Sequence, residues 1–266
     1  MKSAFWNPYA TLPAPTRRLL GLGAVGVVLA IWTGLSLSGW IVSNKLPSPG
    51  KVLSAMHYLA WYEGKSLLWP AIVSSVGRVA AAAVLVILIG IPLGVMMGSS
   101  PRLNAIFSPM IDPFRSAPVV AFLPIFVMWL GIDETMKVAF LFTGAVVYLV
   151  PMVRDAILAV PQSYWTSARD LGATPFECIR KAVLPMAMPR IADAVIVAVS
   201  VMWTYITVAE YVNARTGLGQ LIQNARRFSA MDQVFAGIIV IVGLALCTYQ
   251  GMSLIKRRLY GWETKV

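Results

Sequence analysis

Gln162-Ser163-Tyr164-Trp165-Thr166-Ser167-Ala168-Arg169-Asp170-Leu171-Gly172-Ala173-Thr174-Pro175-Phe176-Glu177-Cys178-Ile179-Arg180-Lys181-Ala182-Val183-Leu184-Pro185 is a polar stretch between two apolar blocks, and its punctuation decides how the chain is organised. Gln162 to Leu171 is helix-compatible, and Gly172 can close that helix in the left-handed conformation. Thr174 is placed to cap a second helix, with Pro175 at its first position and Glu177 completing a capping box. Pro185 is expected to end it. A connection between two apolar blocks needs no such construction, since most are far shorter. The stretch therefore reads as a platform on which something docks.

The flanking blocks set the fold class. The chain of 266 residues is 58% hydrophobic and 12% charged, with a mean hydropathy of +0.74. A soluble domain carries about twice that charged fraction. The apolar residues gather in runs long enough to cross a hydrocarbon core of about 30 Å. Six spans are predicted: Leu19–Trp40, Trp69–Met97, Ala105–Leu130, Met136–Val153, Pro189–Val212 and Val234–Ile255. The expectation is an all-α membrane protein of about six transmembrane helices. The third block holds Pro109, Pro113, Pro118 and Pro124 and cannot be one straight helix. Broken backbone survives at membrane depth only against protein or a water-lined cavity, which places this block inside the bundle.

Basic residues outside the spans orient the chain. Lys2, Arg17, Arg18, Arg102, Arg154, Arg169, Arg180, Lys181, Arg190, Lys256, Arg257, Arg258 and Lys265 fall on one side. Lys45, Lys51, Lys65, Lys137, Arg215, Arg226 and Arg227 fall on the other. The excess puts both termini in the cytoplasm. The division is a cytoplasmic tail over 1–18, a membrane domain over 19–255 containing a cytoplasmic loop over 154–188, and a second tail over 256–266. Arg17-Arg18 before an apolar run also resembles an export signal, but the run is too long and lacks an Ala-x-Ala site, so a retained helix is expected.

The net charge of +11 lacks a basic face or interleaved aromatics, so nucleic acid is not indicated. The sole histidine, His57, lies outside the spans and is read as a surface residue. Cys178 and Cys247 have no metal-ligand spacing, and no metal site is expected. Gly21-Leu22-Gly23-Ala24-Val25-Gly26 matches a dinucleotide fingerprint only literally, inside a span with no preceding strand. No paired acids or Ser–His pair lies within spans, which argues against an intramembrane enzyme.

Thr166-Ser167-Ala168-x-x-x-Gly172, then nine residues, then Ala182-x-Leu184-Pro185 resembles the EAA loop of ABC importer permeases. It departs at Thr166, where the family has Glu, and at Ala182, where it has Ile. Other stretches resemble the nitrate, taurine, sulfonate and bicarbonate branch: Leu46-Pro47-Ser48-Pro49, Ser75-Val76-Gly77-Arg78-Val79, Asp112-Pro113-Phe114-Arg115-Ser116-Ala117-Pro118, Phe122-Leu123-Pro124, Trp129-Leu130-Gly131, Ala209-Glu210 and Gly217-Leu218-Gly219. The resemblance covers residues 46 to 262. It implies a type I importer fold and a non-catalytic permease subunit in the bacterial inner membrane. It further implies a second permease copy, two ATPase subunits holding ATP and magnesium, and a periplasmic or lipid-anchored solute-binding protein. The solute would be a small anion such as nitrate, bicarbonate, taurine or another sulfonate. A transporter or channel working alone would explain the spans but not the elaborated loop.

The residues expected to meet the ATPase are Tyr164, Thr166, Ser167, Ala168, Arg169, Gly172, Ala173, Leu184 and Pro185. Arg115, Ser116, Pro118 and Phe122 are the candidates for the solute path. Arg115 either meets an anion or pairs with Asp112, one helical turn away. Arg78 and Glu210 read as structural charges. Gly90, Gly94 and Gly98 form a small-residue stripe for close packing within the subunit. Trp32, Trp40, Trp61, Trp69 and Trp129 fit an interfacial aromatic belt.

Overall fold

The computed structural model describes residues 12–40, 45–62, 64–212 and 214–262, so Lys2 and Lys265 of the predicted tails lie outside the described residues. Among the described residues the architecture is helical, with one isolated bridge between Tyr62 and Lys65. The elements are α1 (Ala14–Leu37), α2 (Pro49–Ala60), α3 (Leu68–Ser99), α4 (Pro101–Ile111), two 3₁₀ turns (Asp112–Arg115 and Val119–Phe122), α5 (Leu123–Leu130) and α6 (Glu134–Leu158). The polar loop follows as α7 (Gln162–Asp170), α8 (Pro175–Glu177) and a π-helical segment (Cys178–Val183). The chain ends with α9 (Leu184–Tyr211), α10 (Leu218–Arg227) and α11 (Met231–Leu259). Five helical runs are long and apolar enough to span a membrane, and the bent pair 101–115 and 119–130 makes up to six.

The core is the triad α3, α6 and α9, packed through Val79, Ala82, Val86, Leu149, Val153, Ala194, Ala198 and Met202. Small residues allow it. A Cβ at Gly90 would lie 2.9 Å from Leu149 Cδ2; at Gly94, 2.6 Å from Val153 Cβ; at Gly98, 2.7 Å from Ile157 Cβ. The predicted stripe thus faces α6 of the same subunit, where lost side-chain volume lets two backbones approach. Gly144 of α6 does the same for the Tyr205 ring of α9.

α1 lies apart from this core, with exposed leucines and valines along its length. It is tethered at its outer end, where Trp32 Nε1 donates to the Pro47 carbonyl at 3.0 Å and the Trp32 ring stacks on Phe235. Trp32 therefore pins a junction, whereas Trp40, Trp61, Trp69 and Trp129 are exposed as a belt requires.

Two expectations are corrected. The third block is not inside this bundle: α4 and α5 contribute no buried residue, and Ile106, Met110, Met128 and Trp129 are exposed. Its prolines break it as predicted, with a 96° bend between the two halves. Pro185 does not end the helix that opens at Thr174. Helix continues to Tyr211 because the turn before Pro185 widens: the Leu184 N–H donates to the Ile179 carbonyl, five residues back. In an α-turn the proline ring would strike the carbonyl four residues back, and the π-turn relieves that clash.

Candidate functional site

The loop between α6 and α9 folds as a helical hairpin around Gly172. Gly172 adopts φ +84°, the left-handed region open to glycine. Its N–H donates to the Arg169 carbonyl at 2.9 Å, and the Ala173 N–H donates to the Ala168 carbonyl at 3.0 Å. Together these form a Schellman closure. Arg169 Nη1 adds a bond to the Ala173 carbonyl at 2.8 Å. On the far side of the turn the capping box forms as predicted. The Thr174 N–H donates to Glu177 Oε2 at 3.0 Å, and the Glu177 N–H donates to Thr174 Oγ1 at 3.3 Å.

This hairpin carries an open groove of about 400 Å³ lined by Ser163, Tyr164, Ser167, Ala168, Leu171 and Ala182. Leu171 and Phe176 are 89% and 69% exposed at its tips. Both fall within the stretch from Tyr164 to Lys181 expected to meet the partner, although neither is singled out by the sequence reading. Thr166 turns its hydroxyl back to its own helix, onto the Ser163 carbonyl at 3.1 Å. Leu184 packs against the core and Pro185 is exposed, so these two lie apart from the groove.

At the bend of the third block, Asp112 does not pair with Arg115. Arg154 of α6 takes it, with Nη1 3.0 Å from Asp112 Oδ2 and 2.8 Å from Ser108 Oγ. The side chain of Arg115 is exposed and has no side-chain partner among the described residues. Its backbone carbonyl accepts from the Tyr148 hydroxyl at 3.4 Å. Tyr148 lies fourteen residues along α6 from its N-terminal end, about 21 Å, and about 15 Å from its C-terminal end. That level is well inside a membrane. Ser116 and Pro118 are exposed beside Arg115, and Phe122 packs its ring near Phe114. Thus the bend of the third block meets α6 at this depth, and Tyr148 was missed because a lone aromatic in a span reads as packing.

The end of the bundle away from the hairpin holds a dense charge cluster. Arg78 of α3, 5% exposed, bonds both oxygens of Glu134. Its Nη1 also meets Glu210 Oε1 at 2.6 Å and the Thr216 carbonyl at 2.7 Å. Glu210 accepts further from Ser75 Oγ and from the Gly219 N–H, each at 2.7 Å. A Cβ at Gly217, where φ is +139°, would collide with both charged groups. The stretches at 75–79, 209–210 and 217–219, far apart in sequence, are one cluster in space. The structural reading of Arg78 and Glu210 is what the geometry shows.

Similarity to known proteins follows the same lines. Residues 90–260 match the family described as "Binding-protein-dependent transport system inner membrane component". The taurine transport system permease protein of Escherichia coli strain K12 is 31% identical over 256 residues, 96% of this chain and 93% of that protein. A putative aliphatic sulfonates transport permease protein of Bacillus subtilis strain 168 is 28% identical, covering 97% of this chain and 94% of that one. Among solved structures, the inward-facing MetNI methionine ABC transporter superposes with a TM-score of 0.65 at 23% identity, over 72% of this chain and 95% of that chain, which shows the fold. The chain belongs to the inner-membrane permease components of binding-protein-dependent ABC importers: a multi-pass, non-catalytic subunit that works with an ATPase and a solute-binding protein.

Proposed function

We propose that this permease imports a small organic anion, a sulfonate such as taurine, along a path that passes Arg115. One observation carries the reading: Asp112 is occupied by Arg154, which leaves the Arg115 guanidinium at membrane depth without a counter-charge among the described residues. An unpaired cation there costs roughly 2.5 to 3.5 kcal/mol on insertion scales and faces water or a ligand. The taurine and sulfonate permeases named above support the solute class. Ser116, Pro118 and Phe122 line the same bend, and the exposed Ser116 hydroxyl offers a donor to a sulfonate beside the arginine.

The path needs a second copy of the chain. The proline-broken backbone of the third block faces outward, and exposed irregular backbone is not tolerated against lipid. A homodimer covers it and encloses the cavity. Tyr164, Ser167, Ala168 and Leu171 form the groove that receives the ATPase, with Arg169 and Ala173 fixing the Gly172 turn. ATP and magnesium are held by that partner, and both termini lie in the cytoplasm.

The test is competition for uptake of labelled taurine in cells expressing the intact importer. Alkane sulfonates should compete, while amino alcohols of equal size without the sulfonate should not. Equal competition by charged and uncharged analogues refutes an anion path.

A further inference from the structure

α10 packs Leu218 and Ile222 into the core, and its first turn is also tied to the bundle through the backbone. The Leu218 N–H donates to Ser75 Oγ at 2.9 Å, the Gly219 N–H donates to Glu210, and the Thr216 carbonyl accepts from Arg78. A Cβ at Gly219 would lie 2.8 Å from the Thr207 carbonyl, so the helix sits directly on α9. It ends in a second Schellman closure. Ser229 stands in the left-handed position at φ +56°, its N–H donates to the Arg226 carbonyl at 3.1 Å, and the Ala230 N–H donates to the Ala225 carbonyl at 2.9 Å. This rigid turn presents Phe228, 84% exposed, beside exposed Arg226 and Arg227.

Next to the turn lies a cleft of about 510 Å³ whose lining includes Tyr58, Arg215, Gln220, Asn224, Phe228 and Gln233. The outer face exposes Lys45, Lys51, Lys65, Arg215, Arg226 and Arg227. Among the described residues the acids on this face are Asp133, Glu134 and Asp232, and Glu134 is already bound by Arg78 and Lys137. The surface is net basic. It also stands clear of lipid. Lys256, Arg257 and Arg258 mark the inner boundary of α11, and about 20 residues of helix cross the hydrocarbon, which ends near Ala236. The Phe228 turn lies beyond Met231, about 8 Å or more outside that boundary. An exposed aromatic beside arginines on rigid backbone is the composition of a binding anchor.

We propose that the α10–α11 turn and its cleft seat an acidic lobe of the solute-binding protein, and that the Arg78–Glu210 cluster passes this docking into α9. Helix continues from Pro175 to Tyr211, so α9 meets the cytoplasmic loop at one end and the cluster at the other. The two partners then load opposite ends of one rod. The inference rests on the importer reading for the existence of that partner, and on the outer surface for its location.

The test uses the whole importer in nanodiscs of neutral phosphatidylcholine, with its own ATPase, and ATP hydrolysis followed against the concentration of its solute-binding protein. Arg226→Glu with Arg227→Glu, and separately Phe228→Ala, should raise the half-saturating concentration about ten-fold or more while basal hydrolysis is unchanged. Added salt should raise it in the wild type and change it far less in the double variant, as screening removes the same attraction. A photo-crosslinking residue at position 228 should join the solute-binding protein, and one at Leu254 should not. Unchanged half-saturation, no adduct at 228, or a shift that arises only with anionic lipid overturns the seat. A wild type that ignores its binding protein altogether would overturn the importer reading as well, so the two failures are distinct.

Discussion

Removing the Glu210 carboxylate is the sharpest perturbation of the outer cluster. Glu210 is 1% exposed and accepts from Arg78, Ser75 and Gly219. Glu210→Ala leaves three buried donors short of a partner, at about 1–3 kcal/mol each if none relaxes. Arg78 keeps Glu134 and the Thr216 carbonyl, so its charge is not stranded. The cost therefore falls near the lower end of the 3–5 kcal/mol typical of a broken buried pair, at about 3 kcal/mol. For a chain of this size that lowers the melting temperature by about 6–12 °C. Glu134→Ala should cost about 1 kcal/mol, because Glu134 is 61% exposed and water replaces it. The double change Arg78→Met with Glu210→Gln should recover part of the loss: the buried charge is gone, the amide oxygen accepts from the Gly219 N–H, and the amide NH2 donates to the Ser75 hydroxyl. The assay is thermal melting of detergent-solubilised protein, followed by size exclusion. Equal losses for Glu210→Ala and Glu134→Ala, or a double variant worse than Glu210→Ala alone, would refute the reasoning.

Gly94→Val should destabilise by about 1–3 kcal/mol in the same melting assay, because the new side chain meets Val153 and the Val150 carbonyl at 2.8 Å or less. Gly172→Val places a β-branched residue at φ +84°, a strain of about 1–2 kcal/mol, and should uncouple ATP hydrolysis from uptake without affecting membrane insertion. Ala168→Glu, in the groove beside Tyr164, should do the same, and normal uptake in either variant would remove the loop from coupling. Pro185→Ala restores the donor that the π-turn compensates for, and amide exchange across Cys178–Val183 should slow as the segment tightens toward α-helix; unchanged exchange would mean that another constraint holds the π-turn.

The loop was legible in nearly every detail on its Gly172 side, because a left-handed glycine and a capping box are local chemistry written in consecutive residues. Its other side was not, since Pro185 stops an α-helix but not one that has already widened by a residue. The glycine stripe was legible for the same reason as the loop: period four on a helix fixes one face. The third block was half legible. Its prolines announced a break, but which protein surface would satisfy that break depends on copies of the chain beyond this one. Charge pairing was the least readable. Asp112 and Arg115 are one turn apart, yet Arg154, more than forty residues away, wins the carboxylate, because α4 and α6 converge at that level. Arg78, Glu134 and Glu210 became one cluster only when the helices were assembled.

The most direct measurement is ATP-driven uptake of labelled taurine into proteoliposomes holding the permease, its ATPase and its solute-binding protein, comparing wild type with Arg115→Ala. Accumulation that requires ATP and falls at least ten-fold in the variant, with ATP hydrolysis retained, is the expected result. Accumulation that is indifferent to ATP, or that is unchanged by loss of Arg115, would contradict the account.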